Sequence, residues 1–277
     1  MDNKNNLEYK LTNPQESIWL INSFYENTNV SNICGTLLIH EKVDFDLLNK
    51  AVNQVVQEND AMRIQFKLHD GKPFQYVTEY AFQQFPIYSL NSKDELPQLE
   101  DKFAKITFDV IDSCLYDFKL LKFKNGHGGV NLTIHHLISD AWSFGLITNE
   151  IIGNYSKLLK SKNAEIADMP SYFEFAQTEQ KYLGSEKYEN DRKFWEDVFA
   201  TCPSCVSLSQ KAFPSSSPVA NRKSFSLGNS AKIVDFCKKN KISVFTFLLT
   251  IFSIYLHRIS GSSDIVIGSP ILNRNGI

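Results

Sequence analysis

The sequence predicts an α/β (α+β) fold in which a mixed sheet is flanked by helices. Residues 130–135 alternate apolar and polar side chains, which is the pattern of a half-buried strand. Residues 44–59 instead carry apolar side chains at helical spacing, behind an aspartate that can cap a helix. Turn signals at 70–71 (Asp-Gly) and in the glycine-rich segment 125–129 join neighbouring strands into hairpins. Strands and helices therefore alternate along the chain.

The other elements are predicted from their local patterns. Residues 13–16 (Asn-Pro-Gln-Glu) combine a cap, a proline for the first helical position and a glutamate three residues after the cap, so a helix begins there. A polar break at 163–170 separates the predicted domains, 1–168 and 169–277. In chain order we predict strand 34–40, helix 44–59, strands 62–68 and 74–78, a helix over 92–107 interrupted near Pro97, strands 115–123 and 130–135, helices 142–160, 171–182 and 186–199, a loop over 203–218, strand 223–227, helices 230–239 and 243–258, and strand 264–271.

Composition excludes several classes of protein. The 277 residues are 43% apolar and carry a net charge of −2 without a basic stripe, so a large core is expected and nucleic acid is not an expected partner. The polar start shows no secretory signal. The most apolar segment, 242–256, is too short to cross a bilayer and is predicted to be a core helix. Five cysteines, with a lone Cys-x-x-Cys at Cys202 and Cys205, fit a reducing cytoplasm.

One stretch carries the chemistry. The strand over 130–135 runs directly into His135 and His136, and Asp140 follows on the turn before the helix. Because adjacent strand residues point to opposite faces, one histidine should face inward and support while the other faces a cleft. Three interpretations remain open: core histidines with a capping aspartate, a metal site with Asp140 as third ligand, or acid–base chemistry by one imidazole. The diverging side chains make the two histidines a poor joint chelate.

The whole string from 135 to 143, His-His-Leu-Ile-Ser-Asp-Ala-Trp-Ser, resembles the core signature of condensation domains of nonribosomal peptide synthetases. That signature reads His-His, three residues, Asp-Gly. Ala141 stands here in place of the glycine, and alanine disfavours positive φ. Segments 11–20, 58–66 and 171–176 resemble three further motifs of the same family, so the resemblance spans essentially the whole chain.

The resemblance implies an architecture. A condensation domain has two lobes, each resembling chloramphenicol acetyltransferase. Residues 1–168 would be the N-terminal lobe with the His-His motif, and 169–277 a partial C-terminal lobe. The later family motif with a Val-Asn-Thr core is absent from the sequence, so we expect an incomplete second lobe, which could leave the fragment inactive.

The resemblance also implies site residues and partners. His136 occupies the catalytic position, either accepting the proton of the acceptor amine or orienting that amine and steadying the tetrahedral intermediate. His135 and Asp140 would support it, with Arg63 forming an ion pair with Asp140. The domain would bind no cofactor or metal itself. Phosphopantetheine would arrive on peptidyl or acyl carrier domains, and an adenylation domain of the same synthetase or an acyl-CoA would be further partners.

The motifs also suggest a subtype and leave two alternative functions open. Residues 24–32 and the Asp-Ala-Trp variant at 140–142 are similar to starter condensation domains, which acylate a first amino acid with a fatty acyl group. An epimerisation domain shares the His-His-Asp arrangement but usually continues with Val-Ser-Trp. A third alternative is a condensation-like module without catalytic activity that only recruits partners. No membrane association is expected.

Overall fold

The computed structural model describes residues 7–25, 27–161, 165–201, 206, 228–269 and 271. The chain divides into two compact units, Met1–Leu183 and Gly184–Ile277. The sequence predicts a boundary after residue 168, but the boundary between the compact units lies after Leu183. The reason is the helix Tyr172–Leu183, which buries Phe173 and Ala176 in the core of the first unit.

The elements of the first unit alternate as predicted. They are β1 (Tyr9–Lys10), α1 (Asn13–Phe24), β2 (Asn32–Ile39), α2 (Phe45–Glu58), β3 (Ile64–His69), β4 (Lys72–Val77), β5 (Ile87–Leu90), α3 (Leu96–Ala104), β6 (Tyr116–Phe123), β7 (Gly128–His135), α4 (Ala141–Lys160) and α5 (Tyr172–Leu183), with short 3₁₀ helices at Asp60–Arg63 and Lys93–Glu95. The second unit contains α6 (Glu186–Val198), α7 (Ser230–Asn240) and α8 (Val244–Ser260).

The strands of the first unit form two sheets. A four-stranded sheet has the order β2-β7-β6-β5, in which β5 runs parallel to β6 and the other neighbours are antiparallel. A three-stranded antiparallel sheet has the order β1-β4-β3. The predicted mixed sheet with flanking helices is therefore confirmed, although β1 and β5 were not predicted from the sequence.

Strand β7 is the centre of this fold. Val130, Leu132 and Ile134 belong to one hydrophobic core with the apolar faces of α2 and α4. Burying each such side chain contributes on the order of 1.5–3 kcal/mol. The opposite face is polar yet also buried: Asn131 donates to Thr36 Oγ1 at 3.1 Å, and Thr133 is closed from solvent. The strand is thus buried on both faces, not half-buried as predicted, because its polar side chains find partners within the sheet.

The capping and turn signals of α2 and the first hairpin are confirmed. Asp44 Oδ1 accepts hydrogen bonds from the backbone N–H groups of Asp46 and Leu47, both at 3.1 Å. Asp70 and Gly71 both have positive φ, at 50° and 76°, as the two central residues of a tight hairpin require. Helix α2 and the β3–β4 hairpin are therefore set by local sequence.

The start of α1 differs by one residue from the prediction. The cap is Thr12 rather than Asn13, and Pro14 lies in the first turn. The side chain of Gln15 accepts a hydrogen bond from the backbone N–H of Thr12 at 3.0 Å, which is half of a capping box. Gln15 thus occupies the position in the capping box that the prediction gave to Glu16.

The second unit departs further from the sequence prediction. Helix α8 overlaps most of the segment predicted to be a core helix, but only Leu256 of its 17 residues is buried. Residues 264–269 and 271 form no strand in the described structure, so the predicted strand 264–271 is not observed. The predicted strand 223–227, nearly all of the predicted loop 203–218, and Cys202 and Cys205 lie outside the described residues.

The described helices were also compared with the length and hydropathy needed for a membrane span. None of them is long and apolar enough by itself. Helices α7 and α8 meet those requirements only when taken together, and the pair is bent by 105°.

Candidate active site

The two histidines lie at the end of β7 and diverge as the strand alternation predicts. His135 is the last residue of β7 and is only 2% exposed. His136 is the next residue, outside the strand, and its side chain is exposed. The same turn thus contains one imidazole inside the protein and one at the surface.

The buried His135 is held in one tautomer. Its Nδ1 accepts a hydrogen bond from the backbone N–H of Leu137 at 3.2 Å, so the ring proton is on Nε2, which faces Asn22 Oδ1 at 3.4 Å. Phe108 packs edge-on against the ring. Burial, with a smaller contribution from the neighbouring His136, lowers the pKa of His135 to about 4. His135 is therefore neutral at pH 7.

The backbone of His136 is anchored although its side chain is exposed. Its N–H donates to the carbonyl of Ser31 at 2.8 Å, one step beyond the last β2–β7 pair, Asn32 and His135. Strand β2 thus holds the main chain at the point where the ring projects outward.

Asp140 begins α4. Its Oδ1 accepts hydrogen bonds from the backbone N–H and the hydroxyl of Ser143, both at 2.7 Å. Ala141 is the first helical residue and is not among the residues with positive φ, so the position does not require the glycine of the family signature. Within the described ranges no three His, Cys, Asp or Glu side chains are arranged to hold a metal ion, so the metal interpretation gains no support.

Arg63 does not form the predicted ion pair with Asp140. Its guanidinium donates to three backbone carbonyls: Val56 at 3.2 Å, Gln57 at 3.4 Å and Thr78 at 2.8 Å. Among the residues that the structure describes, no ion pair includes Arg63. The physical reason is that the last carbonyls of α2 lack partners within the helix, and the guanidinium satisfies them. Arg63 therefore ties the end of α2 to the end of β4.

Two buried glutamines next to the histidine turn were missed by the sequence prediction. Gln15 of α1 donates from Nε2 to the carbonyl of Leu137 at 3.1 Å and to Gln75 Oε1 of β4 at 2.9 Å. Gln15 lies in the first turn of a helix, where a polar side chain is expected to face solvent. Only the tertiary structure shows that it reaches the histidine turn.

Comparison with known proteins identifies relatives over nearly the whole chain. Residues 5–276 match the family model of the condensation domain. Surfactin synthase subunit 1 of Bacillus subtilis is 30% identical over 275 residues, covering 96% of this chain and 8% of the relative. The dimodular nonribosomal peptide synthase of the same organism is 25% identical over 282 residues, covering 100% of this chain and 12% of the relative. The chain thus spans about a tenth of the length of these curated relatives.

Solved structures show the same fold. The first condensation domain of the calcium-dependent antibiotic synthetase, in complex with substrate analogue 3a, has a TM-score of 0.81 at 19% identity, covering 95% of this chain and 64% of that chain. A mutant starter condensation domain of rhizomide synthetase, in complex with C8-CoA and Leu-SNAC, has a TM-score of 0.77 at 20% identity, covering 94% and 60%. These similarities confirm the predicted chloramphenicol-acetyltransferase-like fold.

Proposed function

Because this chain belongs to the condensation domain family, we propose that it joins an acyl thioester to the amine of a carrier-bound aminoacyl thioester, forming an amide bond. One observation carries the proposal: His136 exposes its imidazole directly after β7, a strand whose eight residues are all buried. A fold that buries its central strand so completely and then turns one histidine outward can present that ring to substrates in a fixed place.

Amide formation requires that the amine and the thioester be held in position and that one proton leave the amine. The amine nitrogen attacks the thioester carbon, a tetrahedral intermediate forms, the C–S bond breaks, and the amine proton finally reaches the departing thiolate. Holding the two reactants in place can contribute about 7–11 kcal/mol in the best cases. A positioned base adds about 10²- to 10⁴-fold. His136 would accept the amine proton or orient the amine.

The buried His135 supports this role through charge and geometry. Because it is neutral at pH 7, it adds no positive charge beside the reacting amine. Its ring nitrogen also accepts the N–H of Leu137, which fixes the main chain directly after His136. Asp140 supports the same turn from its other end by capping α4.

The partners of the reaction follow from the chemistry of the family. We propose that the domain binds no cofactor of its own and receives both substrates on phosphopantetheine arms of carrier domains, loaded by an adenylation domain of the same synthetase. We propose a cytoplasmic location, which the cysteine content of the chain supports. Neither nucleic acid nor membrane is a proposed partner.

We further propose a fatty acyl donor, as in a starter condensation domain. Support comes from the residues 24–32 and the Asp-Ala-Trp variant at 140–142. The rhizomide synthetase domain of similar fold was crystallised with C8-CoA. In competition between an acyl-CoA and a peptidyl carrier donor, the acylated product should dominate, and acceptance of peptidyl donors alone would contradict the starter assignment.

A direct test of the function uses the whole natural protein that contains this chain. It is incubated with acyl donors and a loaded aminoacyl carrier, and the carrier-bound product is measured by mass spectrometry. We expect a mass increase equal to the acyl group. Inversion of the aminoacyl stereocentre without a mass increase would show epimerisation instead, and an unchanged carrier would favour a module without catalytic activity.

A further inference from the structure

A pair of buried amides lies beneath the histidine turn. Gln15 of α1 is 3% exposed and Gln75 of β4 is completely buried. Each donates from Nε2 to the Oε1 of the other at 2.9 Å. Such a reciprocal pair links α1 to the three-stranded sheet through two hydrogen bonds between buried side chains, where each bond is costly to lose.

The surroundings fix the orientation of both amides. Gln15 Oε1 also accepts the backbone N–H of Thr12 at 3.0 Å, and the second Gln75 hydrogen goes to the carbonyl of Lys10 at 2.9 Å. A flipped Gln15 amide would place its NH₂ group against the N–H of Thr12. The Nε2 of Gln15 must therefore point the other way, toward the carbonyl of Leu137 at 3.1 Å.

The carbonyl of Leu137 belongs to the turn that carries His136. In this turn the N–H of His136 is bound by Ser31, and the N–H of Leu137 is bound by the ring of His135. Among the described residues, Gln15 is the one side chain from outside 135–140 that bonds to the backbone of 136–139. Leu137 is 2% exposed, so the loss of this donor would leave a buried carbonyl unsatisfied.

We infer that Gln15 is a positioning residue for His136: its amide, held by Gln75 and Thr12, fixes the main chain that aims the imidazole. This inference rests on the proposed function of His136. It assigns the one buried side chain of α1 a part in the reaction, although Gln15 itself touches no substrate.

A matched pair of variants tests this role. Gln15→Met and Gln75→Met each break the amide pair with a side chain of similar length, so both should lower the melting temperature. Only Gln15→Met also leaves the carbonyl of Leu137 without a donor. In the whole natural protein we expect kcat to fall at least about tenfold further in Gln15→Met than in Gln75→Met, with KM unchanged, a difference of about 1.4 kcal/mol in activation free energy.

A double-mutant cycle separates positioning from simple destabilisation. If Gln15 acts through His136, Gln15→Met should cost no further activity once His136 is replaced by Ala. Hydrogen exchange at the amides of residues 136–138 should be about tenfold faster in Gln15→Met than in Gln75→Met. If Gln15→Met does not fold, Gln15→Leu and Gln75→Leu replace the matched pair, since leucine also removes the amide and only the change at 15 removes the donor to Leu137.

The outcomes distinguish this inference from the proposed function. Equal kcat and equal amide exchange in the Gln15 and Gln75 variants would overturn the positioning role and leave the function of His136 standing. Full activity of His136→Ala would overturn the proposed catalytic role. In that case the exchange rates of the turn still decide whether Gln15 positions it: faster exchange supports the inference, and equal exchange overturns it.

Discussion

Two segments of this chain, the strand β7 and the helix α8, lie in opposite environments. All eight residues of β7 are buried. Of the 17 residues of α8, only Leu256 is buried, while Phe245 and Leu248 are 60% and 47% exposed. The sequence predicts the opposite order of burial, since α8 consists mainly of apolar residues while β7 alternates apolar and polar side chains. The strand predicted to be half-buried is buried on both faces, and the predicted core helix has one buried residue.

The difference teaches what the candidate site depends on. Strand β7 is paired on both edges, by β2 and β6, and its apolar face shares a core with α2 and α4. These four partners of β7 lie within the first unit, which also contains both histidines. Hydrophobicity alone therefore indicates only that a segment tends to be buried. The strands and helices that pack against the segment decide whether it can support a site.

The largest expected effect comes from adding one methyl group to β7. A Cβ on Gly129 would lie 2.2 Å from the carbonyl oxygen of Leu37 in β2, far inside contact distance. Because that atom belongs to the backbone, it cannot move without breaking the β2–β7 pairing. We expect Gly129→Ala to lower the free energy of unfolding by more than about 4 kcal/mol, measured by urea denaturation. A loss below about 1 kcal/mol would show that this pairing is loose in solution.

The contrast between the two segments is tested by the same truncation in each. Leu132 is completely buried in β7, so Leu132→Ala should cost about 2–5 kcal/mol. Leu248 in α8 is half exposed, so Leu248→Ala should change the free energy of unfolding by less than about 0.5 kcal/mol. Equal costs at the two positions would mean that α8 is packed in solution, and the contrast would fail.

The pH dependence of stability sharpens the account of His135. Its pKa lies near 4 in the folded protein, below the usual 6.5. Between those values the unfolded chain binds a proton that the folded chain does not, so the contribution of His135 is complete above pH 6.5 and is lost as pH falls toward 4. The loss is at most about 1.4 kcal/mol per pH unit. A His135→Gln variant should lack this part of the slope, and an identical slope in both proteins would refute the shift.

A small stabilising effect is expected at Gly153 in α4, the helix that shares a core with β7. A Cβ there meets no atom within 4 Å, and the position lies inside a helix. Gly153→Ala should therefore stabilise the protein by about 0.5–1 kcal/mol, because alanine loses less entropy in a helix. Thermal melting measures the change. A destabilisation comparable to that of Gly129→Ala would show that α4 packs more tightly than its surroundings indicate.

The sequence predicted those parts of the fold that depend on local signals. The cap at Asp44, the hairpin at Asp70-Gly71 and the helix after Asp140 follow from neighbouring residues, and all three are observed. Strand β5 has only four residues and pairs in parallel with β6, a partner that is distant in sequence, so its own residues gave little signal.

The parts of the candidate site that depend on local signals were also predicted, and the parts that depend on distant residues were not. The divergence of His135 and His136 follows from strand geometry and is observed. The prediction that Arg63 forms an ion pair with Asp140 was wrong because the carbonyls at the end of α2 bind its guanidinium instead. No sequence pattern reveals that competition. Gln15 was missed because its partner, the carbonyl of Leu137, is 122 residues away.

The central claim is that the exposed ring of His136 does the chemistry while the buried turn only holds it. The most direct measurement compares His136→Ala with His40→Ala, an exposed histidine after the opposite end of β2, in the amide-forming assay on the whole natural protein. We predict that His136→Ala keeps its melting temperature and loses about 10²- to 10⁴-fold in kcat, while His40→Ala stays active. Full activity of a folded His136→Ala protein, with the same acylated product, would contradict the account.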